Sequence, residues 1–544
     1  MGSKACQECH GEEYDLWKES THSKAGGPPD TSNVISKFDG TVLQFKDATV
    51  SFSINTKGEY LIAVALIGRP EFVLKVDAVI GRELMVGGGS QALFTKFPDG
   101  TLRFLPFDFN MEKKLWFAQL RHNMEWYPIS SQMSINDCLH WPPFRILGEH
   151  ENFSPETCRS CHGSQIQVMF APEKEKYLTR YVSLGINCES CHGPGKKHIE
   201  LAKSGLINDA KDIGMEALGT LNKDRSLNVC FQCHAAKASI SKPGQYLPGK
   251  RHENYYTYNL NAWDNKFHPD GRILIFSYQK NHIYSDCYLS GSMTCVDCHD
   301  PHSQKYRDIW GKKLPGIFDD EQCMDCHRSK LPVIEKHTHH KKNSKGSLCI
   351  SCHMPYLQHK GVGNKLRIAR SDHTIPIPRP VFDESLGIEN ACYKCHRDIK
   401  ITGLQVITDE WYGGLKPHKP IIKALINADK YGNRKLAAKK LLDESIFHPI
   451  AEIIALSKFI HKFISPDMSY LEPEIIEKLK KLCDSPDLDL QALALAALHI
   501  AGDDDENVHS FLWQRSKNLK ETDASVKYRW VFILKNLAVI KYLA

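Results

Sequence analysis

The chain is 544 residues long, 42% hydrophobic and 25% charged, with 19 cysteines and a formal net charge of +6. That length exceeds one ordinary domain and fits two or three. No stretch reaches the ~18 consecutive apolar residues of a membrane span, so none is predicted.

The N-terminal stretch reads CQECHGEEYDLWKESTHSKA. Cys6, Cys9 and His10 form Cys-x-x-Cys-His, the sequence at which haem is attached covalently as haem c. The spacing has a chemical reason. Two thiols separated by two residues can add to the two vinyl groups along one porphyrin edge, and the next residue then lies under the iron as its proximal ligand. A short helical pattern follows, with Tyr14 and Trp17 one turn apart, and leads to His22. Residues 1–37 are read as a first haem-bearing segment.

Residues 38–125 change character and predict a β-rich insert. VSFSI, EYLIAVALI and EFVLKVDAVI are strand-like runs, and ALFTKF-PDG-TLRFLPF reads as a hairpin turning on Pro98-Asp99-Gly100. The GGGS at 87–90 does not open a helix after a strand and is not a phosphate loop. The insert is read as a shield or interface in preference to a small-ligand site.

Residues 126–400 are predicted as the haem core. After the aromatic passage LHWPPF come Cys158-Cys161-His162, Cys188-Cys191-His192 and Cys230-Cys233-His234. Residues 235–290 lack the motif but are rich in Tyr and His. Cys295-Cys298-His299, Cys323-Cys326-His327 and Cys349-Cys352-His353 then arrive at the closest spacing. Cys392-Cys395-His396 follows SDHTIPIPRP, whose alternating prolines force an extended strap. Beyond 400 helical periodicity takes over, and residues 401–544 predict an all-α, helical-repeat-like domain. It reads either as a HEAT- or TPR-like docking platform, in which case deleting 420–544 leaves the haem spectra intact, or as a plain cap on the haem core.

Eight motifs use sixteen of the nineteen cysteines. Zinc sites do not require a histidine after every second cysteine, so eight covalently attached haems c are preferred over zinc ribbons or disulfides. Each oxidised haem adds one negative charge, bringing the total to about −2, and to about −10 on full reduction. The lysines and arginines therefore offset haem propionates, and no nucleic-acid partner is predicted. Cytochrome c assembly occurs outside the cytoplasm, so a mature or trimmed chain is expected in the periplasm or outside the cell. Outside the motifs, Cys483 reads as core, and Cys138 and Cys287 as either a disulfide or buried thiols.

A haem used only for electron transfer takes a second strong ligand, whereas a catalytic one keeps that face open. The candidates near motifs or in Pro-constrained loops are His22, His198, His268, His302, one of His339 and His340, and His373. His252 and His282 form a second group. His448, His461, His499 and His509 lie in the helical part and are not expected to bind iron. Met354 is badly placed for the iron of its own motif but within reach of another.

The stretches CQECHGEEYDLWKESTH, CESCHGPGKKH, CVDCHDPHS, HTHHKKNSKGSLCISCHMP and DHTIPIPRPVFDESLGIENACYKCH resemble the signatures of multihaem c-type cytochromes, in particular octahaem members ending in a TPR- or HEAT-like helical tail. The resemblance implies a multihaem fold, mainly α and irregular, with closely packed haems in one conductive chain. It also implies by position that His22, His198, His268, His302 and His373 are distal ligands. The wider superfamily includes enzymes acting on small nitrogen or sulfur oxyanions at one open haem. The Lys that usually replaces the motif histidine in ammonia-forming nitrite reductases is missing from all eight motifs.

Two readings follow. The first is electron transfer between redox partner proteins or to an extracellular acceptor, with subunits assembling as an oligomer or filament. The second is a multihaem oxidoreductase, with groups such as His252, Tyr255, Tyr256, Tyr258, Lys280 or His282 serving a substrate. Electron transfer is preferred.

Overall fold

The computed structural model describes residues 1–83, 86–143, 161–235, 238–239, 246–257, 267–274, 278–316, 319–363, 365–443, 445, 447–468, 470–502, 505–519 and 524–543. Cys158 and Tyr258 lie outside them. Among the described residues no helix is long and apolar enough to cross a membrane.

The β-rich region begins with β1 (Gly26–Gly27), β2 (Val42–Gln44), β3 (Ala48–Ile54), β4 (Tyr60–Leu66) and β5 (Phe72–Lys75). It continues with β6 (Ala78–Ile80), β7 (Ser90–Lys96), β8 (Leu102–Phe104), β9 (Asp108–Asn110), β10 (Leu115–Gln119) and β11 (Trp126–Pro128). β2-β3-β4-β5 form one antiparallel sheet, and β1-β6-β7-β9-β10-β11, with β8 on β7, form another. Alternation in β3 and β4 turns Val50, Phe52, Ile62 and Val64 inward. There they meet Leu93, Phe107, Phe109 and Trp116 in one core. Phe52 and Trp116 stack at 4.1 Å. The hairpin predicted at Pro98-Asp99-Gly100 joins β7 to β8, with Gly100 at φ 83° and Asp99 accepting from the Thr101 amide at 3.0 Å. Cys138 is fully buried in this core.

The glycines at 87–88 have a packing role. The Ala369 amide donates to the Gly87 carbonyl at 2.7 Å, and a side chain at Gly87 or Gly88 would meet the backbone oxygen of Ala369 or Arg367 at 1.8 Å. They seat the β-rich region on the hairpin Tyr356–Gln358/Ala369–Ser371, which lies between the last two motifs. A second apolar cluster there joins Phe117 to Val362, Leu366 and Ile368.

The C-terminal region is helical. It includes Ile401–Tyr412, Pro449–Phe463, Pro473–Leu482, Leu488–Ala501, Glu506–Asn518 and Ala524–Leu543. Its core is not its own. Leu227, Phe231, Ile273, Ile283 and Tyr288 of the motif-bearing region belong to the same buried cluster as Ile450, Leu456, Leu493 and Trp530. A buried ionic tie adds to this: Arg529 donates to Asp489 at 2.8 Å and to the Tyr256 carbonyl, while the Thr257 hydroxyl also donates to Asp489. Removing residues 420–544 would therefore uncover Leu227, Phe231 and Ile283 of the motif-bearing region. Cys483 is core, as expected.

Candidate haem sites

Each described motif is built on about one helical turn, because an i to i+4 hydrogen bond brings both thiols and the imidazole to one side of a short helix. The amides of His10, His234 and His299 donate to the carbonyls of Cys6, Cys230 and Cys295 at 2.9 Å, and that of His396 to Cys392 at 3.0 Å. Cys188–His192 and Cys349–His353 are short helices, and Cys323 and Cys326 lie in Glu321–His327. Side chains cap these turns. Asn187 accepts from the Ser190 amide at 3.1 Å, Asp320 from Cys349 at 2.9 Å and Asn390 from Cys392 at 2.8 Å.

Five motif imidazoles face a second imidazole. Ring centroids are 6.3 Å apart for His10 and His198, 6.3 Å for His192 and His302, and 6.1 Å for His234 and His22. They are 6.3 Å apart for His353 and His337, and 5.9 Å for His396 and His340. Two imidazoles bound to one first-row metal, each through a bond of about 2 Å, bring their centroids to roughly 6 Å. His299 has Tyr306 at 5.0 Å and lies within electrostatic reach of His373. Burial holds His22 and His299 down to about 4, and burial with neighbouring imidazoles holds His234 down to about 3. Neutral imidazole is the form that binds metal.

The opposite ring nitrogen is also organised. Nδ1 lies 2.9 Å from the Ile213 carbonyl in His198, 2.6 Å from Thr338 in His340, 2.8 Å from Ser371 in His373 and 3.2 Å from Leu386 in His268. Such a bond fixes the tautomer and leaves Nε2 for a metal. His282 is the reverse, with Nε2 3.0 Å from the Met293 carbonyl. His252 packs among Tyr246 and Tyr256. His339 stacks on Trp411 at 4.1 Å and 9°. Of the pair His339 and His340, only His340 faces a motif ring. His337, which the sequence reading passes over, faces His353. Helical phase is the signal that marks it: His337 lies within the helix Ile334–Thr338, whereas His339 follows it in the left-handed conformation at φ 56°.

Contacts between motifs order them in space. The thiols of Cys6 and Cys188, of Cys230 and Cys295, and of Cys323 and Cys349 lie close enough to interact electrostatically. Gln232 donates to the Ser190 carbonyl at 3.0 Å and Gln322 to Cys298 at 2.7 Å. Lys394 reaches the Tyr356 carbonyl, and Cys161 approaches the Cys233 carbonyl at 3.7 Å. Numbered along the chain, the motifs run 1-3-4-5-6-7-8, with motif 2 beside motif 4. Cys287 lies near Cys298 and Cys326, whereas Cys138 is bonded to the Ser134 carbonyl at 3.8 Å within the β core, so the two do not pair.

These residues fit haem c: paired thiols and a neutral imidazole on one turn, faced by an oriented imidazole at metal-spanning separation. The family model of cytochrome c554 and c-prime matches residues 5–40. The dissimilatory sulfite reductase MccA of Wolinella succinogenes is 24% identical over 406 residues, 66% of this chain and 51% of that protein. The multiheme cytochrome MtrA of Shewanella baltica is 23% identical over 209 residues, covering 37% and 54%. Cytochrome c-552 of Porphyromonas gingivalis is 22% identical over 255 residues, covering 45% and 40%. The chain thus spans about half the length of the curated relatives it matches. The outer cell wall cytochrome OcwA matches at 17% identity and a TM-score of 0.46, over 85% of this chain and 94% of that one. With its repeated haem-attachment motifs, the chain is similar to multihaem c-type cytochromes.

Proposed function

We propose that this protein carries electrons outside the cytoplasm along eight covalently held haems c, most of them ligated by two histidines. The observation that carries the reading is the set of five motif imidazoles, each faced by a second imidazole at 5.9–6.3 Å. A filled second axial position favours electron transfer over substrate binding. Haem supplies the one-electron couple; the chain's own residues hold the rings, orient their tautomers and set the order of the sites. The contacts between motifs support a main path 1-3-4-5-6-7-8 with a branch to motif 2, ending at redox partner proteins or an extracellular acceptor. A HEAT- or TPR-like helical tail fused to this core, and assembly of copies into an oligomer or filament, belong to the same reading. Intact mass spectrometry tests the cofactor count: eight added haem masses support the proposal, and fewer than five defeat it.

A second reading has its own support. The relative that matches 66% of this chain is named for sulfite reduction, and Tyr246, His252, Tyr255 and Tyr256 form a cluster that electrostatically reaches Cys230 through Tyr246. The Tyr246 hydroxyl is buried, with no hydrogen-bond partner among the described residues. Under this reading one iron keeps an open face and these groups supply protons to a small oxyanion. Steady-state turnover of sulfite, nitrite or hydroxylamine with a reduced viologen distinguishes the two: electron transfer predicts none.

A further inference from the structure

A buried ion cluster lies between two candidate distal histidines. Arg272 Nε is 2.7 Å from Asp270 Oδ2, and Arg272 Nη1 is 3.3 Å from Asp372 Oδ2. The side chains of Arg272, Asp270 and Asp372 are 6%, 4% and 2% exposed. Stability alone is a poor explanation, because desolvating such charges costs much of what their attraction returns, and packed apolar residues often serve as well. The group also holds two carboxylates against one guanidinium, an excess of one negative charge.

The cluster's contacts run to histidine-bearing loops. On one side a tight turn presents His268: the Gly271 amide donates to the His268 carbonyl at 2.8 Å, and the His268 amide to the Arg272 carbonyl at 2.7 Å. On the other side Asp372 immediately precedes His373. Its Oδ1 accepts from the Thr374 amide at 2.9 Å and the Thr374 hydroxyl at 2.7 Å, while its own amide donates to Pro355, two residues past the His353 motif, at 3.0 Å. Both histidines spend Nδ1 on a backbone carbonyl and keep Nε2 for a metal. A guanidinium is a planar fork, so two carboxylate contacts fix angle as well as distance; a lysine ammonium cannot do this.

We propose that Arg272, held between Asp270 and Asp372, is a positioning residue for two haem sites at once. It locks the His268 and His373 loops against each other so that both imidazoles are presented to iron, and its carboxylate partners leave negative charge that favours the ferric state of both. The proposal rests on the reading that both histidines are distal ligands, and its test separates the two claims. Arg272→Lys, Asp372→Asn, His268→Ala and His373→Ala proteins are compared by Mössbauer spectroscopy and redox titration at equal haem content. His268→Ala and His373→Ala are each expected to convert one iron from low to high spin. Arg272→Lys converts two, and external imidazole restores them. Asp372→Asn raises at least one midpoint potential. If Arg272→Lys converts no iron or only one, the positioning role is overturned. If either alanine variant converts none, the ligand reading fails, whatever Arg272→Lys does. Should Arg272→Lys fail to fold, Asp372→Asn decides: unchanged potentials overturn the proposal.

Discussion

At the scale of single residues, the histidines nearest a motif face a different one. His22 follows motif 1 but faces His234; His198 follows motif 3 but faces His10; His302 follows motif 5 but faces His192. In each case the facing ring comes from a motif distant in sequence, so the pairing is long-range. This is why the sequence shows which residue types bind and not which pairs form. Motif residues are legible because haem attachment fixes three positions within a run of five, whereas His337 is legible only once the helix phase around it is known. His337→Ala is therefore expected to convert one iron to high spin, while His339→Ala, which removes ring contacts with Trp411 and Tyr412, converts none. Electron paramagnetic resonance of the oxidised proteins distinguishes them.

At the scale of elements, the β strands follow their alternation and the turn follows Pro98-Asp99-Gly100, both local signals. The seat at Gly87 and Gly88 was not legible, since its partner is the backbone of residues 367–369 far along the chain. Gly87→Val, which drives a side chain into the Ala369 carbonyl, is expected to cost about 1–3 kcal/mol and to lower the thermal midpoint. At the start of the helix Pro449–Phe463 the Glu452 carboxyl accepts from the His448 amide, and burial pushes its pKa from 4.5 up to about 7. The folded chain therefore binds more protons than the unfolded chain between these values. The contribution is complete below pH 4.5 and lost as pH rises through 7. Denaturation midpoints of Glu452→Gln and the parent, compared from pH 4.5 to 7.5, are expected to show a steeper fall in the parent.

At the scale of the molecule, the helical C-terminal region was legible as helices but not as part of the haem-bearing body. The joint core of Phe231, Ile283 and Leu493 is written in no local pattern. Breaking the buried tie with Asp489→Ala strands Arg529, and loss of one partner of a buried pair costs about 3–5 kcal/mol. Chemical denaturation is expected to show that loss, with weaker haem retention in a chain truncated at 420. The central claim is that two histidines hold most of the irons. Mössbauer spectroscopy of iron-57-enriched, oxidised protein counts every iron by spin state. Low-spin ferric iron at five or more of the eight sites is the predicted result; high-spin iron at more than three would contradict it.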